Sequence, residues 1–467
     1  MNDIYEKLDR NLYLKRFIDD PKEELDSILA ETPLTADQLN IPDIVNNSTF
    51  TTQVINNTTI TGASGAQTAT FVVGPSSNSD SAGYDYVTDG VNDQVQVQQA
   101  VDALPANGGT VLLREGTYRF DAANGEDGVS VIFDNAIVRG MGYGTIIRAM
   151  DGAGITPSSL FSISGNAALV DMQIDGNDSG GASCLALVVV SGDNVVISGC
   201  FFSDEVAIST GTVVINGDYV SIEHCFFSTI TAGIVANSGN SISISNCFFS
   251  PTNVGTGCID GGNLFVSVTS CQFVLPDLYA GVAIFGVETA TGNTILVNGN
   301  VNGCDLFSSC YTVDSNYVDC GGTFTADTGS YVVSAATNVS NNYIRGGKLS
   351  AFISSGSVIS NNYLLGSAAH GIIVANDNTI VSGNRIISVG QATTDTYYSI
   401  AISTNADHCV INGNVCTNIA ANKPKYVINE GSGCDSNIIT SNVATGGVTG
   451  QINIVGGATV SANNITA

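Results

Sequence analysis

The chain has 467 residues, 43% of them hydrophobic and 52 of them glycine, enough to bury a long core while turning often. Forty-two acids against fourteen bases leave a formal net charge of −28, with five of the bases in the first 22 residues and none between Arg148 and Arg345. This excludes nucleic acid as a partner and disfavours a polyanionic glycan over the middle of the chain, because phosphate and similar anions are held by Lys and Arg.

The first region is helical in pattern. "MNDIYEKLDRNLYLKRFIDD" spaces Ile4, Leu8, Leu12 and Phe17 as one helix face, Asp20-Pro21 opens a second helix, and Thr35 with Gln38 resembles a capping box. Such short amphipathic helices have no core of their own, so residues 1–45 are expected to form a head that packs against something else. Residues 46–73 are rich in Thr and Asn and alternate as strands do; Gly74 to Gly83, "GPSSNSDSAG", reads as a linker. Neither a membrane span nor the hydrophobic start of a signal peptide is visible, which points to assembly in a reducing cytoplasm and no membrane insertion.

The third region, 84–467, opens with "YDYVTDGVNDQVQVQQAVDALPANGGTVLLREGTYRF" (84–120). A helix over 93–104 and the strand after Gly108-Gly109 would seal the N-terminal end of the remaining chain, which is a repeat. "VVISGCFFSD" (195–204), "HCFFS" (224–228), "NCFFS" (246–250) and "VSVTSCQFVL" (266–275) share a frame that later carries Asn in place of Cys, as in "VSNNYI" (339–344) and "ISNNYL" (359–364). The ladder position falls at Cys200, Cys225, Cys247, Cys271, Asn316, Asn342, Asn362, Asn384, Asn414 and Asn442, with Met172, Asn300 and Asn463 as further members, a period of about 24 residues.

A period of this size made of two or three short alternating runs, with no room for a helix, predicts an all-β single-stranded parallel β-helix of about 12–13 coils. Like positions then stack about 4.8 Å apart. Asn tolerates a left-handed bend and can donate and accept along a column, while Cys supplies a small buried hydrophobe. The ladder cysteines are therefore read as stacked free thiols; no CxxC spacing specifies zinc.

The 84–120 stretch, "IVRGMGYGTIIRA" (137–149) and the Asn ladder together resemble the start of the pectate-lyase-like right-handed β-helix proteins. The helical head and Thr/Asn-rich neck make the whole look like a bacteriophage tailspike or tail-fibre protein of that superfamily. The resemblance implies a right-handed coil and a homotrimer. It implies a head, 1–45, docked to phage tail or baseplate proteins, a virion location, and a β-helix face that binds host cell-surface polysaccharide. A non-enzymatic adhesin, a structural virion fibre and a cellular polysaccharide-active β-helix enzyme are the alternatives.

Pectate-type elimination, as in relatives, uses an Arg or Lys base, and the base-free interval excludes it here. The polygalacturonase-like pattern also fails: Asp204-Glu205 precedes Asn216-Gly217-Asp218, His370 sits in "AHG", and no Arg-x-Lys occurs. Glycoside hydrolysis asks only for two carboxylates about 5–9.5 Å apart. Asp260 lies 11 residues before Cys271, Asp305 lies 11 before Asn316, and Glu288 lies 12 before Asn300, so the three are expected to stack on neighbouring coils. Like charge there would hold one carboxyl protonated as a general acid. Tyr279, Phe285, Phe307 and Tyr311 are expected to offer rings to a sugar, and Asp204, Glu205 and Asp218 form a second acid group. The same acids read equally as a solvated surface. No cofactor is specified; stacked Asp and Asn oxygens suit calcium, yet no contiguous Asp-rich loop defines a site.

Overall fold

The computed structural model describes residues 54–55, 58–59, 69–76, 83–120, 130–150, 159–177, 186–203, 211–228, 233–252, 257–277, 279, 281–298, 305–320, 331–334, 336–346, 352–353 and 357–466. The head expected over 1–45 lies outside the described residues. Two compact units are present, Met1–Thr61 and Gly62–Ala467. In the first, Val54–Ile55 and Thr58–Thr59 pair as a short antiparallel ladder.

The second unit is a parallel β-helix with three faces. Strands such as Val188–Val190, Val213–Ile215 and Ile234–Ala236 pair in parallel along the first face. Val196–Ser198, Ser221–Glu223 and Ile242–Ser245 do so along the second. The third is a 15-stranded sheet running from Gly116–Phe120 to Ile465–Thr466. In the last coils the first face continues as a four-stranded sheet of Ile372–Val374, Tyr398–Ile402, Tyr426–Glu430 and Gly450–Asn453.

Helix α1, Asp93–Asp102, is held at its start by a buried carboxylate: Asp93 accepts from the Gly90 N–H at 2.6 Å and the Arg119 N–H at 2.7 Å. Its Val97, Ala100 and Val101 join the core. The solenoid also begins earlier than residue 84, since Ala69–Gly74, placed by sequence in the neck, pairs in parallel with Gly109–Leu113.

The Phe-Phe doublets divide their rings between inside and outside, because adjacent strand residues face opposite ways. Phe202, Phe227, Phe249 and Phe273 stack inward at 4.7–4.8 Å between centroids. Phe201, Phe226 and Phe248 stack on the outer surface at 4.4–4.9 Å. Inward, the column continues in register through Ile295, Val318, Ile344 and Leu364.

The ladder is continuous. From Cys271 onward each rung's main-chain N–H donates to the Oδ1 of the next Asn at 2.8–3.0 Å, through Asn293, Asn316, Asn342, Asn362, Asn384, Asn414, Asn442 and Asn464. Two rungs differ from expectation: Asn293 takes the place assigned to Asn300, and Asn464 that assigned to Asn463. The left-handed bend belongs to the residue before each rung, not to the rung itself. Asp171, Gly199, His224, Asn246, Ser270, Gly292, Ser315, Asn341, Asn361, Gly383, Gly413, Ser441 and Asn463 all have φ between 53° and 68°. Asn463 mimics a rung because it is the bend, and His224 is another bend residue.

Each Asn Nδ2 also donates to the carbonyl of the residue three before the preceding rung, for example Val339 for Asn362 and Ile359 for Asn384, both at 2.9 Å. The thiols use the same carbonyls: Cys225 reaches Ile197 O, and Cys247 reaches Ile222 O, at 3.7 Å. Cysteine is thus a weak-donor version of the Asn rung, and the four ladder cysteines are free and buried. Replacing Cys225 with Ala removes one weak donor and a small volume. The expected cost is about 1 kcal/mol in urea unfolding; a loss several times larger would mean the thiol column carries the coil.

Candidate functional site

On most coils the first and second faces are separate strands joined by a turn. At the middle of the solenoid two strands, Ile259–Thr269 and Val282–Thr291, run through that corner unbroken, with the register slipping between Asp260 and Ser267. The slip sets where the acids lie. Eleven residues separate Asp260 from Cys271, but only eight separate its partner Phe285 from Asn293.

Equal offset from the ladder therefore does not stack Asp260, Glu288 and Asp305. Asp260 lies opposite Phe285, which lies opposite Ser308. Asp305 lies opposite Val282 on one side and Tyr331 on the other. With Asn293 as a rung, Cys271 and Asn316 are two coils apart, and Glu288 is five residues before its own rung.

All three acids are partly exposed, Asp260 and Asp305 on the first face and Glu288 just past the corner. Asp305 is half-buried, and its carboxylate is held by the Ser334 and Ser308 hydroxyls and the Tyr331 N–H. Burial outweighs these bonds and raises its pKa above the ordinary Asp value. Ser308 lies two strand spacings along the axis from Asp260, about 10 Å. Asp260 Oδ1 accepts from the Gly262 N–H at 2.9 Å, which fixes it in the slipped segment.

Around the corner, the Tyr311 N–H donates to Val287 O at 2.9 Å, which in a parallel ladder sets Tyr311 beside Glu288 on the next coil. Tyr311 is 58% exposed. On the preceding coil Phe265, 61% exposed, falls between Leu264, opposite Val287, and Ser267, opposite Thr289. Phe285 is partly exposed three residues before Glu288. The surface thus carries three rings and three carboxylates on three successive coils.

Two expected sugar platforms are not on it. Tyr279 and Phe307 are fully buried; Phe307 pairs with Ile284 and Val333 in the core, where a bend turns two consecutive residues inward. Asp218 serves the turn between faces: it accepts from the Asn240 N–H at 2.7 Å and donates its own N–H to Asp193 at 2.8 Å. Asp204 and Glu205 lie outside the described residues.

Sequence reasoning misses Phe265 and the serines that grip Asp305. Phe265 is legible as the one bulky residue that breaks alternation in "NLFVSV"; Ser308 and Ser334 depend on register and are not. Among the described residues no group of three or more His, Cys, Asp or Glu is arranged to hold a metal ion. The described ion pairs, Arg139–Asp171, Arg148–Asp175 and Arg345–Asp319, involve none of the surface acids.

Fold and surface together define a parallel β-helix with an acidic, ring-bearing side on which no basic residue lies among the described residues. Solved structures similar to this chain include the A-module of the Azotobacter vinelandii mannuronan C-5 epimerase AlgE4, at 19% identity and a TM-score of 0.43, over 80% of this chain and 96% of that one. The tailspike protein gp49 of Acinetobacter baumannii bacteriophage Fri1, a capsular polysaccharide depolymerase, matches at 13% identity and a TM-score of 0.41, over 75% of this chain and 62% of that one. The Dettilon tailspike protein gp208 matches at 12% identity and a TM-score of 0.31, over 85% and 68% respectively. No family model matches the chain, and no curated protein matches it by sequence.

Proposed function

We propose that the chain is a phage tailspike or tail-fibre receptor-binding protein, and that its surface around Asp260, Phe285, Glu288, Asp305 and Tyr311 binds a host cell-surface polysaccharide. The observation that supports this is the placement of partly exposed rings and carboxylates over three coils, in a stretch with no base between Arg148 and Arg345. A pyranose offers an apolar C–H face to a ring and hydroxyl donors to a carboxylate, so this surface suits an uncharged sugar and repels an anionic one. Homotrimer assembly and docking of residues 1–45 to the phage tail belong to the same proposal.

The test is binding to host polysaccharides fractionated by composition. Tyr311→Ala and Phe285→Ala are each expected to weaken binding about tenfold, the loss of a well-placed aromatic contact, while unfolding stays cooperative. Absence of binding to any surface polysaccharide, or wild-type binding by both variants, overturns the assignment of this surface. A monomeric mass at micromolar concentration overturns the trimer.

A second reading, hydrolysis of the bound glycan, is favoured by the raised pKa of Asp305, which suits a general acid.

A further inference from the structure

The C-terminal coils carry a different cluster on the first face. The His370 ring stacks on Tyr398 at 5.1 Å and 21°, Tyr398 faces Tyr426 at 6.4 Å and 20°, and Tyr397 meets His370 edge-on at 5.2 Å. The Tyr398 N–H donates to His370 Nδ1 at 3.0 Å, and burial lowers the imidazole pKa to about 4, so His370 adds a neutral ring and no charge. Beyond Tyr426 the next position in register is Gly450. A Cβ there would come within 3.1 Å of the Tyr426 ring, so the ring leans over Gly450, and glycine at that position places no side chain of its own on it.

Basic residues reappear here as well. After the long base-free interval, Lys423 and Lys425 lie immediately before Tyr426, and Lys425 O accepts from the Gly450 and Thr449 N–H groups at 3.3 and 3.0 Å. Neither lysine forms an ion pair among the described residues. The neighbouring carboxylate, Asp395, is engaged by the Thr449 hydroxyl at 2.7 Å. Lys423 is exposed and Lys425 partly so.

We propose that the open face of Tyr426 above Gly450, flanked by Lys423 and Lys425, is a second saccharide subsite that takes a sugar bearing an anionic substituent. The inference rests on the glycan-binding reading above and adds to it the chemical class of one unit. The ring stacks on the sugar, and two ammonium groups without carboxylate partners meet its charge. The acidic middle of the solenoid cannot do this, so a polysaccharide spanning both would carry uncharged units over Asp260 to Asp305 and an acidic unit over Tyr426.

The experiment is calorimetry of the full chain with neutral oligosaccharides, each paired with its uronate-bearing counterpart. Wild type is expected to bind the uronate member about tenfold more tightly, with the preference shrinking as salt rises. The double variant Lys423→Gln/Lys425→Gln, altered only at surface side chains, is expected to lose the preference and keep binding to neutral members. Gly450→Val, which covers the ring, is expected to lose the preference as well. Neutral binding that Tyr311→Ala weakens, with no advantage for the uronates, leaves the lateral surface standing and overturns this subsite; a preference intact in the lysine variant overturns it too. No saccharide binding of either kind overturns both.

Discussion

Asn362→Leu should destabilise the solenoid by about 4 kcal/mol, several times the cost of Cys225→Ala. The Asn362 side chain accepts from the Asn342 N–H at 3.0 Å and its Nδ2 at 2.9 Å, and donates to Val339 O at 2.9 Å and Asn384 Oδ1 at 3.0 Å. All of this is buried. Leucine has the same branching but is bulkier than the planar amide, so it creates no cavity yet crowds the column, and it strips the acceptor from the Asn342 N–H and the Nδ2 donor from Val339 O. Each buried orphan costs about 1–3 kcal/mol. Urea unfolding of the two variants side by side decides it: a Leu variant as stable as wild type would show that water enters the ladder and that the amide column contributes little.

This ladder is the most legible feature of the sequence, because its requirements are local. A rung must be preceded by a left-handed residue, so Gly, Asn, Ser, Asp or His stands there, and it must be followed by an outward and then an inward residue, as in Cys225-Phe226-Phe227. Three adjacent positions under constraint make a frame that survives the exchange of Cys for Asn. Its errors are local too. Asn463 and Asn464 are adjacent residues of the same type, and only the hydrogen bond from Asn442 separates bend from rung. Asn300 competes with Asn293 because "VNGNVN" has the Gly-Asn pair that marks rungs 384 and 414, while "TGNTI" has the same pair at 292–293 and a β-branched neighbour after it.

The surface is less legible, because it depends on register summed over a whole coil. The slip in Ile259–Thr269 inserts residues without changing the strand-like pattern, so counting back from the ladder misplaces Asp260 relative to Asp305. Burial fails for the same kind of reason. Phe307 sits in "DLFSS", where simple alternation would turn Leu306 in and Phe307 out; the chain bends there and buries both. The His370–Tyr426 cluster is invisible in the sequence because its members are spread over three coils, and only coil-to-coil register makes them neighbours.

Conversion of Asp305 to Asn should abolish most cleavage if the bound glycan is hydrolysed, lowering the release of new reducing ends by about 10²- to 10⁴-fold, the usual share of general acid catalysis. Burial raises the pKa of Asp305 above the ordinary Asp value. A general acid must be protonated, so the wild-type rate should fall as pH climbs through that raised pKa, and the residual rate of the Asn variant should lack this limb. Asp260 lies two coils away and three positions further along the strand, too far to share a water with Asp305 in an inverting pair, so Asp260→Asn should slow cleavage less than Asp305→Asn. Glu288→Gln, beside Tyr311, should alter affinity more than rate. Glycan binding by the Asp305 variant should weaken far less than the rate, because the amide keeps the shape of the carboxylate and one acceptor oxygen. Undiminished cleavage in all three amide variants would move the acid pair to Asp204, Glu205 and Asp218. A wild-type chain that binds its polysaccharide and releases no reducing ends would make this surface a receptor-binding adhesin, with Asp305 held by Ser308 and Ser334 for recognition alone.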